Sequence, residues 1–288
     1  MIYKGRNITI SNYKEIFREC TPDVLDEIRL AVLDNTDIVP YINQCGTDSY
    51  RLGQIRLALR ENVDRKYVLA QLTPRTMNIL RECNRQRLSL SPLNDYIIGG
   101  RVIVSVEMLE LMVYALCSGA DITKVDFTQV REDLCEIVCQ GLVRGYPMWL
   151  FLGDNMTVEY INVLLRGLDL GIDISPCIKQ VFSPAQLLLI FSQKKHSSLL
   201  RNITPNFPYE SISVLLGAMD EGLDISQLLY RDKDGFPIYS SLQMQALVKA
   251  LELEKTGVVV TDVFNPSLSD KEMYDMLGIT EDENFLIR

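Results

Sequence analysis

The pentapeptide GIDIS at residues 171–175 returns as GLDIS at 222–226, and the related GADIT stands at 119–123. The first glycines of the three motifs are 52 and 51 residues apart. A nearly fixed period of this length indicates an internal repeat. An apolar stretch at helical spacing precedes each motif, as in INVLLRGLDL before Gly171, and predicts a helix that ends at the glycine.

Each motif has the residues expected at a corner between two helices. Glycine adopts a left-handed backbone with little strain, so it suits the position just past a helix C-terminus. The aspartate two residues later predicts a cap, because its carboxylate can accept backbone N–H groups at the start of the next short helix. We expect the isoleucine after it to point inward. The predicted corner residues are Gly119, Asp121, Gly171, Asp173, Gly222 and Asp224.

Weaker copies extend the repeat along the chain. Residues 27–41 align with residues 54–68, and Asn35 and Asn62 stand in the glycine position. Asparagine is the next best residue for a left-handed conformation. Further degenerate units are predicted around Gly141 and at 77–93, 187–200 and 246–260, of which 187–200 has lost both glycine and aspartate.

A unit of one main helix, a tight turn and a short helix or loop cannot bury its apolar face alone. Neighbouring units therefore have to stack. The sequence predicts an all-α protein, an elongated and curved α-solenoid of stacked helical repeats of roughly 22 to 32 residues. A solenoid of this kind presents a concave surface to a partner.

One stretch interrupts the helical pattern. In residues 94–108, NDYIIGGRVIVSVEM, a Gly-Gly pair divides two β-branched runs. This pattern predicts either a small β-hairpin near 94–106 or an insertion between two solenoid halves. The predicted domains are an N-terminal cap with repeats and a basic segment, the interruption, further repeats, and a C-terminal cap, at residues 1–93, 94–108, 109–260 and 261–288.

The composition limits the class of protein. The 288 residues are 47% hydrophobic, which is enough for a continuous core. No apolar run approaches the roughly 18 residues that a membrane span needs, and residues 1–17 have no secretory signal pattern. The seven cysteines are scattered without a CxxC pair, so neither a disulfide framework nor a zinc site is expected. We expect a cytoplasmic chain with reduced thiols and no membrane partner.

Candidates for chemistry are few. His196 is the sole histidine, and no nucleophile elbow or phosphate-binding loop accompanies it. Cys135 and Cys139 lie one turn apart, but no second ligand pair completes a metal site. Residues 231–241 contain an Asp-Gly turn that lacks the acidic residues at either end of a calcium loop. The sequence therefore predicts no catalytic residue, no metal, no cofactor and no small-molecule substrate.

The sequence pattern of these units resembles a known repeat. QIRLAL at 54–59 and GLDIS at 222–226 are similar to short helical repeats of the form QMxxIRxGLExGLDVSxY, found in proteins of Firmicutes bacteria and their phages and mobile elements. The likeness covers residues 20–260. It implies a helical-repeat fold in a phage or mobile-element setting, and it brings no catalytic residues with it.

Charge is unevenly distributed along the chain, whose net charge is −9. Residues 51–101 hold ten Lys or Arg against four Asp or Glu, whereas residues 102–288 hold fourteen against twenty-six. Stacking of neighbouring units would set two arginine pairs side by side as a basic stripe. Solvated helix faces are the alternative. The candidate contact residues are Arg51, Arg56, Arg60, Arg65, Lys66, Arg75, Arg81, Arg85 and Arg87.

Together these features predict a non-enzymatic interaction protein that binds a macromolecular partner through a concave surface. In one alternative the partner is a protein, and the resemblance makes an inhibitor of a bacterial defence complex one concrete form. In the other, the basic stripe at 51–101 binds RNA, DNA or a nucleoprotein. Binding through several phosphates weakens steeply with salt, which distinguishes the two.

Overall fold

A computed structural model describes residues 1–99, 101–153 and 156–279 of the chain. This part is mostly helical, and its strands form two small sheets of two strands each, so the all-α class is confirmed. None of the helices described could cross a membrane, since none combines the necessary length and apolarity. The chain forms two compact units, Met1–Leu152 and Gly153–Arg288.

The first unit begins with a small hairpin and continues as helices. Its strands are β1 Ile2–Tyr3, β2 Arg6–Asn7, β3 Ile97–Ile98 and β4 Arg101–Val102. Its α-helices are α1 Tyr13–Ile16, α2 Pro22–Leu33, α3 Val39–Cys45, α4 Ser49–Arg60, α5 Pro74–Arg85, α6 Val106–Cys117 and α7 Glu132–Val143. Short 3₁₀ helices follow several corners, at Arg65–Tyr67, Ser91–Tyr96, Ile122–Lys124 and Met148–Leu150.

The second unit contains helices of the same kind. They are α8 Val158–Asp169, α9 Pro176–Lys179, α10 Pro184–Ser192, α11 Tyr209–Asp220, α12 Ser241–Lys255 and α13 Asp270–Met276. The 3₁₀ segments are Lys194–Arg201, Ser226–Leu229 and Thr261–Val263.

The long helices pack in chain order within each unit. In the first unit α2 packs on α4, α4 on α5, α5 on α6 and α6 on α7. In the second unit α8 packs on α10, α10 on α11, α11 on α12 and α12 on α13. Among the described helices, α2, α4, α5, α6, α7, α8 and α11 are each 12 residues long. A helix of 12 residues therefore recurs in both compact units.

The corners have the conformation that their sequence predicts. Gly119, Gly171 and Gly222 have φ values of +87°, +71° and +71°. Asn35 and Asn62 occupy the same place, with φ of +54° and +61°. The residue after each corner donates its N–H back to the helix, as Ile172 does to the Gly167 carbonyl at 2.9 Å, which satisfies a carbonyl at the helix end.

The weaker units differ in how far they keep this corner. In the unit predicted around Gly141 the left-handed residue is Gly145, with φ of +80°, and Gly141 lies inside α7. Arg87 takes the left-handed place after α5, with φ of +58°. After α10 the chain passes through Gln193 directly into a 3₁₀ helix, as expected of a unit without glycine and aspartate.

The corner aspartates cap the segments that follow. Asp121, Asp173 and Asp224 each accept an N–H from the residue two positions on, at 3.1, 3.0 and 3.0 Å. The next residue is buried in all three cases, which are Ile122, Ile174 and Ile225. Each corner is thus a stop, a cap and an apolar anchor.

A small residue at the tenth position of the 12-residue helices was not predicted. Its carbonyl accepts the returning N–H of the corner, and its small side chain leaves room for the neighbouring segment. A Cβ added to Gly167 would lie 2.7 Å from the Phe191 ring. The residues at this position are Ala31, Ala58, Cys83, Ala115, Gly141, Gly167 and Ala218.

The predicted hairpin at 94–106 is present, but it does not divide the repeats. Strands β3 and β4 pair antiparallel, with Ile97 opposite Val102 and Ile98 opposite Arg101. Because α5 and α6 pack on each other directly, the hairpin lies on a continuous row of helices inside the first unit. The division between the two compact units falls after Leu152, beyond the hairpin.

Candidate functional site

The predicted basic stripe is built into the junctions between helices. Arg56 of α4 is 8% exposed. Its Nε donates to Glu27 Oε2 at 2.8 Å and its Nη1 donates to the Asp34 carboxylate. Burial opposes the charged form of Arg56, but the hydrogen bonds and charges of these two acids leave its pKa raised. The guanidinium therefore serves the α2–α4 junction.

The next junction repeats this arrangement. Arg81 of α5 is also 8% exposed, and it donates to Glu61 at 2.6 Å and to Gln54 at 3.0 Å. Arg85 reaches the same Glu61 carboxylate at 2.8 Å. The hydrogen bond from Arg81 is the largest cause that lowers the pKa of Glu61.

We call Arg56, Arg60, Arg81 and Arg85, with their acceptors, the arginine ladder. The prediction set these four residues side by side on a surface that contacts a partner. The structure does bring them to adjacent junctions, but Arg56 and Arg81 are buried and bonded to carboxylates in or just after the preceding helix. Arg60 and Arg85 remain more than half exposed. Arg60 contacts Asp34, the acid that also binds Arg56, and Arg85 contacts Glu61, the acid that also binds Arg81. A phosphate at this position would have to displace carboxylates that are already in contact.

The other predicted contact residues are spread over loops and helix starts. Arg51 is paired with Asp48 at 3.3 Å, Arg65 with Asp37 at 3.9 Å, and Lys66 with Asp64 at 3.6 Å. A pocket of about 410 Å³ lies between two corners. Its lining contains both negative and positive side chains, namely Asp34, Asp37 and Asp64 beside Arg60 and Arg65. Arg75 and Arg87 are exposed. The segment thus presents a surface of mixed charge.

One cysteine pair departs from the expectation of reduced thiols. Cys83 of α5 and Cys117 of α6 form a disulfide, with Cα atoms 5.5 Å apart, a separation typical of disulfides. Facing helix positions bring the two side chains together across 34 residues of sequence. Cys117 stands at the twelfth helix position, which Arg60 and Arg85 occupy in the two preceding helices.

The other cysteines singled out in the sequence are buried. A hydrogen bond with Cys135, followed by burial, raises the pKa of the Cys139 thiol. A raised pKa keeps the thiol protonated and unreactive. In the described ranges, no group of three or more His, Cys, Asp or Glu residues is placed to hold a metal ion.

His196 contacts the end of α11. Its Nε2 lies 2.9 Å from Asp220 Oδ1, and Lys195 Nζ lies 2.5 Å from the same oxygen. Lys195 and His196 thus connect the 3₁₀ segment after α10 to the end of α11. In the Asp-Gly turn at 231–241, Asp232 accepts the N–H groups of Asp234 and Phe236, which is the turn that the sequence predicts.

Helices α11, α12 and α13 form a groove of about 650 Å³ in the second unit. The sequence pattern did not predict this groove. Its lining combines apolar side chains and carboxylates, and we call it the α11–α13 groove. Its lining includes Val214, Leu242, Val248, Tyr274 and Ile279, with the acids Glu221, Glu252, Asp270 and Asp275 and the bases Lys249 and Lys271. The exposure of Leu242 and the chemistry of the lining suit it to contact with another chain.

The chain matches no protein-family model, no curated protein and no solved structure.

Proposed function

We propose that the protein is a non-catalytic helical-repeat protein that binds a protein partner, and that each of its units is a short α-solenoid. The observation that carries the proposal is the packing order, since within each unit every long helix lies on the next long helix of that unit. Stacked hairpins with neighbour-only contacts create extended surfaces, which repeat proteins use for binding.

A protein partner is favoured over RNA or DNA by the use of charge in the first unit. The buried members of the arginine ladder, Arg56 and Arg81, neutralise carboxylates of adjacent helices. Residues 102–288 carry twelve more acidic than basic side chains, and such an excess repels a polyanion. The apolar lining of the α11–α13 groove adds a surface of the kind that protein partners cover.

The resemblance to repeats of phages and mobile elements gives a setting for this binding. A protein that occupies a partner needs no catalytic residue, because steric blockage is enough. An inhibitor of a bacterial defence complex is one concrete form of the proposal, and identification of the partner tests it directly.

The experiment is affinity capture with the full chain from lysate of a Firmicutes host, with and without nuclease, followed by mass spectrometry. A captured protein is then purified and mixed with the chain to test for a stoichiometric complex. We expect the complex to survive nuclease and to weaken only slightly between low and high salt. Loss of the captured protein on nuclease treatment, with a steep salt dependence, would support the nucleic-acid alternative and overturn the proposal.

A further inference from the structure

The α11–α13 groove is lined by α12 from Leu242 to Glu252, which is about 15 Å of helix. It runs between three successive helices of the second unit, of which α12 has 15 residues and is therefore about 22 Å long. Its volume of about 650 Å³ lies in the range of formed ligand sites. A helix of about three turns matches the part of α12 that lines the groove.

The side of the groove formed by α11 carries small side chains. Gly217 is exposed, and a Cβ built on it would meet no atom within 4 Å. Ser213 and Ala218 lie beside it along the groove. Small residues let a second backbone approach closely, so an added helix can lie against α11 without displacing a side chain.

The floor is apolar. Leu242 of α12 is 52% exposed, and Val248 of the same helix and Val214 of α11 are half-buried. Tyr274 of α13 also lines the groove. Burial of the Tyr274 ring, together with the nearby charge of Asp270, raises the pKa of its hydroxyl. Apolar side chains of a partner helix would remove these surfaces from water, which favours binding.

The rim is acidic. The lining contains the carboxylates of Glu221, Glu252, Asp270 and Asp275 against two lysines. One of these lysines, Lys249, lies 2.8 Å from Glu252 and compensates it. The remaining balance is negative, so an occupant with basic residues beside its apolar face is electrostatically complementary.

We infer that the α11–α13 groove binds an amphipathic helix of the partner protein, with aliphatic residues at positions i, i+3, i+4 and i+7 and Lys or Arg on both flanks. The inference rests on the proposed function and names the chemistry of the partner. Helix-in-groove binding of this type is recognised by such anchors at helical spacing.

The test uses the full chain and a labelled synthetic peptide of about 15 residues with leucines at these positions and lysines on the flanks. Fluorescence anisotropy at physiological salt gives the dissociation constant. Two comparison peptides keep the length: one has the same composition with scrambled leucine positions, and the other has glutamate in place of lysine. We expect the amphipathic lysine peptide to bind at least about tenfold more tightly than either comparison peptide.

Variants then locate the site. Leu242→Gln and Asp275→Lys are substitutions of exposed residues, so the fold is preserved, and each should weaken peptide binding about fivefold or more. The matched controls are Leu188→Gln on α10 and Glu210→Lys on α11, which lie in the same unit outside the lining. Equal losses in groove and control variants, or equal affinity for the three peptides, would overturn the inference.

Two further results separate the alternatives. A chain that ends at Ile279 should bind the peptide as tightly as the full chain, and a large gain on truncation would show that the chain's own C-terminus is the occupant and overturn the inference. A captured partner whose affinity is unchanged by Leu242→Gln would also overturn it and would leave the proposed function standing. Loss of capture on nuclease treatment would instead overturn the proposed function.

Discussion

Arg81 of α5 donates a hydrogen bond to Glu61 at 2.6 Å, and the same two repeat positions hold Arg56 and Asp34 one unit earlier. In both cases the arginine is the eighth residue of its helix, and the acid is the first residue after the preceding helix. These two junctions therefore carry an ion pair in addition to their apolar contacts.

The arginine ladder predicts that substitution of two arginines at the same repeat position changes the free energy of unfolding by very different amounts. Arg81→Met leaves the partly buried Glu61 with Arg85 as its remaining basic neighbour and should lower the free energy of unfolding by about 3 kcal/mol. Arg29→Met at the eighth position of α2 removes an exposed pair with Asp26 and should cost less than about 1 kcal/mol. Urea unfolding followed by circular dichroism measures both, and equal effects would contradict a structural role for the ladder.

Two helical glycines should respond in opposite directions to alanine. In Gly167→Ala the new methyl group meets the Phe191 ring, and the strain should destabilise the second unit by about 1–3 kcal/mol. Gly217→Ala meets no neighbour and should stabilise it by about 0.5–1 kcal/mol, because the unfolded chain loses freedom. Thermal unfolding compares the variants, and a loss of stability in both would argue against the packing around Gly167.

The disulfide between Cys83 and Cys117 should be visible in both mass and stability. Alkylation of the denatured, unreduced chain should modify the five cysteines outside this pair, and prior reduction should expose all seven. Loss of a cross-link over 34 residues should lower the free energy of unfolding by about 3–4 kcal/mol.

The control for this prediction is Cys20→Ser, which changes a free and partly exposed thiol. Cys117→Ser should reproduce the effect of reduction, and a reducing agent should then have no further effect on the variant. Seven alkylated cysteines in the unreduced chain would contradict the pairing.

Acid should act on the corner aspartates unequally. The hydrogen bond from Arg201, followed by those from Ser175, lowers the pKa of Asp173 to about 2 from 3.8. Because the folded pKa is the lower one, its stabilisation is present above about pH 4 and is lost as the pH falls toward 2.

Carbon-detected NMR titration of the carboxyl groups measures this effect. Arg201→Gln should raise the pKa of Asp173, and it should leave unchanged that of Asp224, whose carboxylate is hydrogen-bonded to Ser226. An unchanged pKa of Asp173 in the variant would show that the arginine is not its main partner.

The corners could be predicted from sequence because their physics is local. A left-handed glycine and an aspartate two residues later act within one turn of chain, so Gly171 and Asp173 could be identified without knowledge of any contact. The hairpin at 97–102 was also encoded locally, by the Gly-Gly pair between β-branched runs.

The junctions could not be predicted because their partners are remote in sequence. Arg56 meets Glu27 across 29 residues, and the pairing depends on the rotation of one helix against another. The segment composition indicated a basic surface, whereas the burial of Arg56 and Arg81 depends on packing. The α11–α13 groove was missed for the same reason, since its lining comes from three helices.

The length of 12 residues that α2, α4, α5, α6, α7, α8 and α11 share limits how this chain can change in length. Successive residues of an α-helix are rotated by about 100°, so one inserted residue in α4 would swing the corner at Asn62 out of line with its neighbours. Gain or loss of a complete helix with its corner would keep every junction in phase. Chains of this type should therefore grow and shrink by whole modules, while loops such as the one before α12 accept single insertions.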